Sequence, residues 1–148
     1  RNLAHQMHPS ALEHLGLGPA LTSLAREAAL GTALQIQVEA GEPPPVLAPS
    51  HALAFYRIAQ EALRNVQKHA GAARVQVRII QSDQRTMLEV SDDGIGFLPD
   101  SAAHAAGLGL VSMRERVRLL GGELNIMSTP DQGTRVQAWV PRDHGADG

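Results

Sequence analysis

Val90-Ser91-Asp92-Asp93-Gly94-Ile95-Gly96-Phe97 is the stretch on which the reading of the fold turns. An Asp-Gly step between two alternating runs signals a tight hairpin. Here only one run is present. Thr86–Ser91 reads as a strand, whereas Phe97-Leu98-Pro99-Asp100 breaks off at once. A carboxylate at a strand end, followed by two glycines that let backbone come close, suits a polar ring lying over the loop. Asp92 could then accept a hydrogen bond from an exocyclic amine such as that of adenine.

Upstream, Arg74–Ile80 is a second strand, with Val75, Val77 and Ile79 alternating, and Gln81–Arg85 is the polar turn between the two. Met87–Val90 alternates less well. Before them runs a long helix, with Ser50 as its N-cap and an end near Ala70-Gly71. A 3.6-residue repeat groups Leu53, Tyr56, Ala59, Leu63 and Val66 toward a core. Glu61, Asn65 and Lys68, four and three apart, form a row on another side. Such a row is either a solvated face with local ion pairs or a carboxylate, an amide and an ammonium aimed at one ligand. Of thirteen basic residues, Lys68 is the one lysine. Codon bias explains that, as does a need for a compact ammonium rather than a planar fork.

Farther upstream, Leu34, Ile36 and Val38 alternate with Gln35, Gln37 and Glu39 as a half-buried strand. Ala20–Leu30 reads as helix, with Leu21, Leu24, Ala28 and Leu30 as its stripe and Gly31 as its stop. Gly16-Leu17-Gly18-Pro19 is expected to interrupt or bend a helix opened by Pro9. Downstream, a glycine-bearing loop leads to Gly107-Leu108-Gly109-Leu110, which opens a helix over Leu108–Leu120. Free N–H groups at a helix N-terminus favour phosphate, although a lone G-x-G is weak evidence. Glu123–Ser128 and Thr134–Val140 close the pattern as a hairpin. The sum is an α/β fold: a two-layer sandwich, with a mixed five-stranded sheet and three helices on one face.

Composition narrows the function. The chain has 148 residues, 43% apolar and 19% charged, with a formal charge of −2, which suits one globular domain and not a nucleic-acid partner. Aromatics at 3% give no platform for stacking single strands. With no cysteine, disulfides and thiolate chemistry are excluded. His5 and His8 share helical spacing but have no further metal ligands nearby. No apolar run approaches the ~20 residues of a membrane span, so the chain is expected in the cytoplasm, with a parent protein that is free to be anchored in the inner membrane.

Taken in order, the acid–amide–lysine helix, the strand pair, D-x-G-x-G, the G-x-G helix and the Gly133-Thr134 hairpin resemble the Bergerat-fold (GHKL) ATP-binding domains. The likeness is nearest to the catalytic domains of sensor histidine kinases of the nitrate-sensor and desaturase-sensor kind. Their N box resembles Glu61-Ala62-Leu63-Arg64-Asn65-Val66-Gln67-Lys68-His69-Ala70, their G1 box Ser91–Phe97, and their G2 box leads into Met113-Arg114-Glu115-Arg116. The resemblance divides the chain into the end of a dimerisation helix or linker (1–8), the ATP-binding domain (9–141) and a loose tail (142–148).

The resemblance also implies roles. Asn65 would coordinate Mg²⁺ on the ATP phosphates, with Lys68 and His69 against those phosphates, and Glu61 completing the catalytic helix. Asp92 would bind the adenine amine, supported by Thr134 through water, and Gly94 and Gly96 would let the loop approach. Gly107, Leu108, Gly109 and Leu110 would line the nucleotide and anchor a lid. The partners implied are ATP, dimerisation helices bearing the phosphoacceptor histidine and, beyond them, a response regulator. Such helices are not recognised here, so the chain alone is expected to be monomeric, to bind ATP and to transfer nothing. A GHKL ATP hydrolase, with Glu61 activating water, and an anti-sigma serine kinase share the same boxes and stand as alternatives.

Overall fold

A computed structural model of the chain describes residues 16–41, 45–70, 74–94 and 111–142. Helix α1 (Leu17–Ala29) leads to β1 (Gln35–Glu39), and α2 (Pro49–Asn65) passes without a break into a π turn (Val66–Ala70). Strands β2 (Arg74–Gln81) and β3 (Arg85–Asp92) follow, then helix α3 over 111–119, then β4 (Glu123–Thr129) and β5 (Gly133–Pro141). The sheet runs β1-β2-β3-β5-β4. Only β1 and β2 are parallel; the other three pairings are antiparallel. The mixed sheet follows from the connections: α2 is the crossover that parallel strands require, while β2–β3 and β4–β5 are joined by short turns.

One core lies between the sheet and the helices. Leu21, Leu24, Phe55, Ile58, Leu63 and Val117 meet Val75, Val77, Leu88, Leu124, Val136 and Val140 in a single cluster. The expected sandwich with its helices on one face is what forms. Several local expectations shift. In α2 the buried residues are Ala54, Phe55, Ile58, Ala59, Ala62 and Leu63, not Leu53 and Tyr56, which are half-buried. Three alanines let the helix axis sit close to the sheet, so Phe55 and Ile58 fill the contact and the larger neighbours move to its flanks. The N-cap is Ala48 rather than Ser50, because Pro49 takes the first helical position, where its missing N–H costs nothing. In α1, Gly16 precedes the helix and Pro19 stands in its first turn, so the glycines and proline begin a helix here. Leu30 caps its other end at 72% exposure and is not part of the stripe. The helix expected from Pro9 lies outside the described residues.

The weak alternation of β3 has a cause on the helix-free face. Glu89 points away from the core yet is buried. Gln137 donates to its Oε2 at 2.6 Å, and Arg78 and Arg135 lie 3.5 and 3.6 Å from its oxygens. A carboxylate covered by neighbours is tolerable when they carry opposite charge and hydrogen-bond it. Helix α3 stops as the sequence suggests. Gly121, at φ 86°, donates to Arg118 O and Gly122 donates to Val117 O, a Schellman closure that needs the left-handed glycine.

Candidate functional site

The topology brings two of the motif groups to one end of the sheet. β2 starts at Arg74, four residues beyond the π turn that ends α2. Four residues reach at most about 14 Å. Arg74 is in turn bound to the loop after β3: its N–H donates to Asp93 Oδ1 at 2.9 Å, and Asp93 N–H donates to Arg74 O at 3.2 Å. The end of α2 and the end of β3 are therefore tied to the same edge of the structure. β5 begins there too, because Ser91 pairs with Arg135.

The adjacent aspartates behave differently. Asp93 is spent on closing β2 to β3. Asp92, half-buried, accepts the Gly94 N–H at 2.8 Å and the Thr134 N–H. A carboxylate has about four acceptor positions, so two backbone donors leave capacity for a ligand donor. Burial pushes the Asp92 carboxyl above the usual aspartate range; the Gly94 and Thr134 N–H groups pull against that, and the Asp93 charge adds to it. Thr134 reaches Asp92 through its backbone, and its hydroxyl pairs with Ser128 Oγ at 2.9 Å.

Gly133, which the motif reading names beside Thr134 without giving it a role, has one here. It is buried, with φ 88°, and a Cβ there would fall onto the Asp92 carbonyl oxygen. Only glycine lets β5 come this close to the strand that carries the aspartate. The signal available in the sequence was a glycine directly before Thr134, opposite the end of β3.

On the helix, Glu61 and Asn65 lie on α2 and are half-buried, while Lys68 lies in the π turn and is exposed. The row is therefore not purely α-helical: its last member stands where the winding has loosened, a departure that often marks functional sites. Glu61 faces Arg64 at 3.8 Å. Lys68 makes no ion pair among the described residues, so the salt bridge expected of a plain solvated face does not form there. No group of three or more His, Cys, Asp or Glu that could hold a metal occurs among the described residues. A cation here would take its protein contact from an amide such as that of Asn65 and its remaining ligands from phosphate and water, the manner in which Mg²⁺ is commonly held. Gly94 is buried. The side chain of His69, and Gly96, Gly107, Leu108, Gly109 and Leu110, lie outside the described residues.

Residues 50–144 match the family described as histidine kinase-, DNA gyrase B- and HSP90-like ATPase. The sensor histidine kinase MctS of Rhizobium johnstonii is 36% identical over 144 residues, 96% of this chain and 31% of that protein. The signal transduction histidine-protein kinase/phosphatase UhpB of Salmonella typhimurium is 39% identical over 145 residues, 96% of this chain and 28% of that protein. The solved histidine kinase domain of the Erythrobacter litoralis EL346 blue-light activated kinase superposes with a TM-score of 0.71 at 27% identity, over 86% of this chain and 60% of that one. The chain thus spans about a third of the length of the curated relatives it matches.

Proposed function

The chain belongs to the histidine kinase-, DNA gyrase B- and HSP90-like ATPase family, and from that premise we propose that it is the ATP-binding catalytic domain of a sensor histidine kinase. It would present ATP so that the γ-phosphoryl group passes to a histidine on dimerisation helices, and onward to a response regulator. The observation that carries this reading is Asp92: a half-buried carboxylate with two backbone donors and spare acceptor positions, at the same sheet end as the Asn65–Lys68 turn. The names of the relatives favour the kinase over a hydrolase or a serine kinase.

Each residue then has a task. Asp92 accepts the adenine amine, and its bonds to Gly94 and Thr134 fix the direction in which it does so. Lys68 sets an ammonium beside the phosphates, and His69 lies against them. Asn65 would hold Mg²⁺ through its side-chain oxygen; the ion's chemistry is to neutralise charge on the phosphate oxygens. Gly94, Gly96 and the Gly107-Leu108-Gly109-Leu110 segment would bring backbone to the nucleotide. Phosphoryl transfer asks mainly for positioning and charge neutralisation. The acceptor imidazole is already a nucleophile, so Glu61 need not activate water, and its approach to Arg64 is in keeping with a carboxylate not reserved for that purpose.

The test separates transfer from hydrolysis. The chain alone should bind ATP and release phosphate barely above background. Mixed with a protein carrying the dimerisation helices of its parent, it should place ³²P from γ-labelled ATP on that protein in an acid-labile, base-stable linkage, as a phosphoramidate requires. Steady hydrolysis by the chain alone, abolished by Glu61→Ala, would instead assign it to the hydrolases. A base-labile, acid-stable phosphoserine would assign it to the serine kinases. The metal assignment is checked separately. Asn65→Ala should remove most of the gain in ATP affinity that Mg²⁺ gives, about 1.5–3 kcal/mol for a contact to a charged group, while adenosine binding stays within about two-fold. Equal losses for both ligands would make Asn65 a folding residue.

A further inference from the structure

We propose that Gln67 is a positioning residue for the phosphate end of the site: its side-chain amide tethers the π turn that carries Lys68 to the last turn of α1. The proposal rests on the nucleotide reading above and adds to it a residue of the N box to which that reading gives no role.

Gln67 Nε2 donates to Ala28 O at 2.7 Å, across 39 positions of sequence. The last carbonyls of a helix have no partner within it, and at the end of α1 they are taken up one by one. Glu27 O receives Leu30 N–H, Ala29 O receives Thr32 N–H and the Thr32 hydroxyl, and Ala28 O receives Gln67. The bond thus satisfies a group of α1 and fixes a point on the π turn with one contact.

The turn has reason to need such a contact. α2 leaves regular winding at its last residue, Asn65, and the Val66 N–H is already shared between Ala62 O and Leu63 O. A π turn within a helix has a regular α competitor of the same sequence. Reverting to that competitor slips the chain by one residue, which turns everything beyond it by about 100°. Asn65 would stay, and the angle at which Lys68 stands to it would change, so the placement of the two relative to one another depends on which winding the turn keeps. Val66 is buried in the core and anchors one side of the turn; Gln67 is exposed and is not part of the core cluster. Its contribution is therefore the tether alone, and replacing it leaves the core intact.

Gln67→Met keeps the length and neutrality of the side chain and deletes the donor. Calorimetry on the 148-residue chain should show Mg·ATP affinity lower by about five-fold, the worth of one neutral hydrogen bond, with adenosine affinity within about two-fold of wild type. Amide exchange over residues 66–70 should quicken by a similar factor. Gln67→Lys, which restores a donor, should return that exchange to the wild-type rate. Unchanged Mg·ATP affinity in Gln67→Met, parallel loss of adenosine and Mg·ATP, or exchange as fast in Gln67→Lys as in Gln67→Met would each overturn the tether while leaving the nucleotide reading standing. A wild-type chain that binds neither ligand would overturn the nucleotide reading, and the tether with it.

Discussion

Asp92→Asn should lower ATP and adenosine affinity together, by roughly 10- to 100-fold, with little change in stability. The fold is spared because an asparagine oxygen still accepts the Gly94 N–H, which holds Asp92 at 2.8 Å. The ligand contact is not spared, because the charge that strengthens a hydrogen bond from the adenine amine is gone, a loss of ~1.5–3 kcal/mol. Calorimetry with adenosine is the direct measurement, and wild-type affinity in a folded variant would exclude Asp92 from the site. Acid should mimic the substitution. Burial raises the Asp92 pKa above its unfolded value, so the folded chain holds the proton more readily than the unfolded one. By linkage, ionised Asp92 costs stability at neutral pH, and that cost is relieved as the pH falls through the raised pKa. Adenosine affinity moves the other way, declining on acidification from a higher pH than an ordinary aspartate would give.

Gly133→Ala adds one carbon, and that carbon should cost about 2–4 kcal/mol of folding stability, the combined scale of a non-glycine residue at positive φ and a backbone clash. At φ 88° the alanine is strained, and its Cβ would lie 2.0 Å from the Asp92 carbonyl oxygen. To make room, β5 must part from β3 at the end where Asp92 and Thr134 meet. Adenosine affinity should therefore fall with the urea midpoint, unlike Asp92→Asn, where only affinity falls. A Gly133→Ala variant as stable as wild type would mean that the strands are free to separate there without consequence.

The contrast between these two variants marks what was legible in the sequence. The strands were, because Val75, Val77 and Ile79 alternate and one face of the sheet is buried. The layer arrangement was, because a long helix followed by two hairpin-forming pairs has few ways to cover one face. The phase of α2 was not. Periodicity weighs Leu53 and Tyr56 above Ala54 and Ala62, yet closeness of approach to the sheet favours the alanines. The burial of Glu89 was not, since it depends on Arg78, Arg135 and Gln137 converging from two other strands. At the site, Asp92 could be distinguished from Asp93 only by where the chain goes next: one carboxylate faces β5 and the other binds Arg74. The change from α to π winding after Asn65 has no compositional mark at all. Gln67 therefore reads as an anonymous polar residue between two motif positions until Ala28 is seen to be within its reach.

The strand order carries a consequence for the kinetics and the tolerance of the chain. β3 and β5 are immediate neighbours, yet the chain leaves at Asp92 and returns only at Gly133, so their pairing closes a long loop through α3 and β4. The hairpins β2–β3 and β4–β5 close over a few residues and can form early, while joining them is the non-local and therefore slow event. Once closed, the entropy of such a loop depends only logarithmically on its length, about 0.6 kcal/mol for each doubling. Sequence separation therefore enters the cost of this pairing only weakly, while the sheet end at its root, where Gly133 meets Asp92, tolerates not even a methyl group.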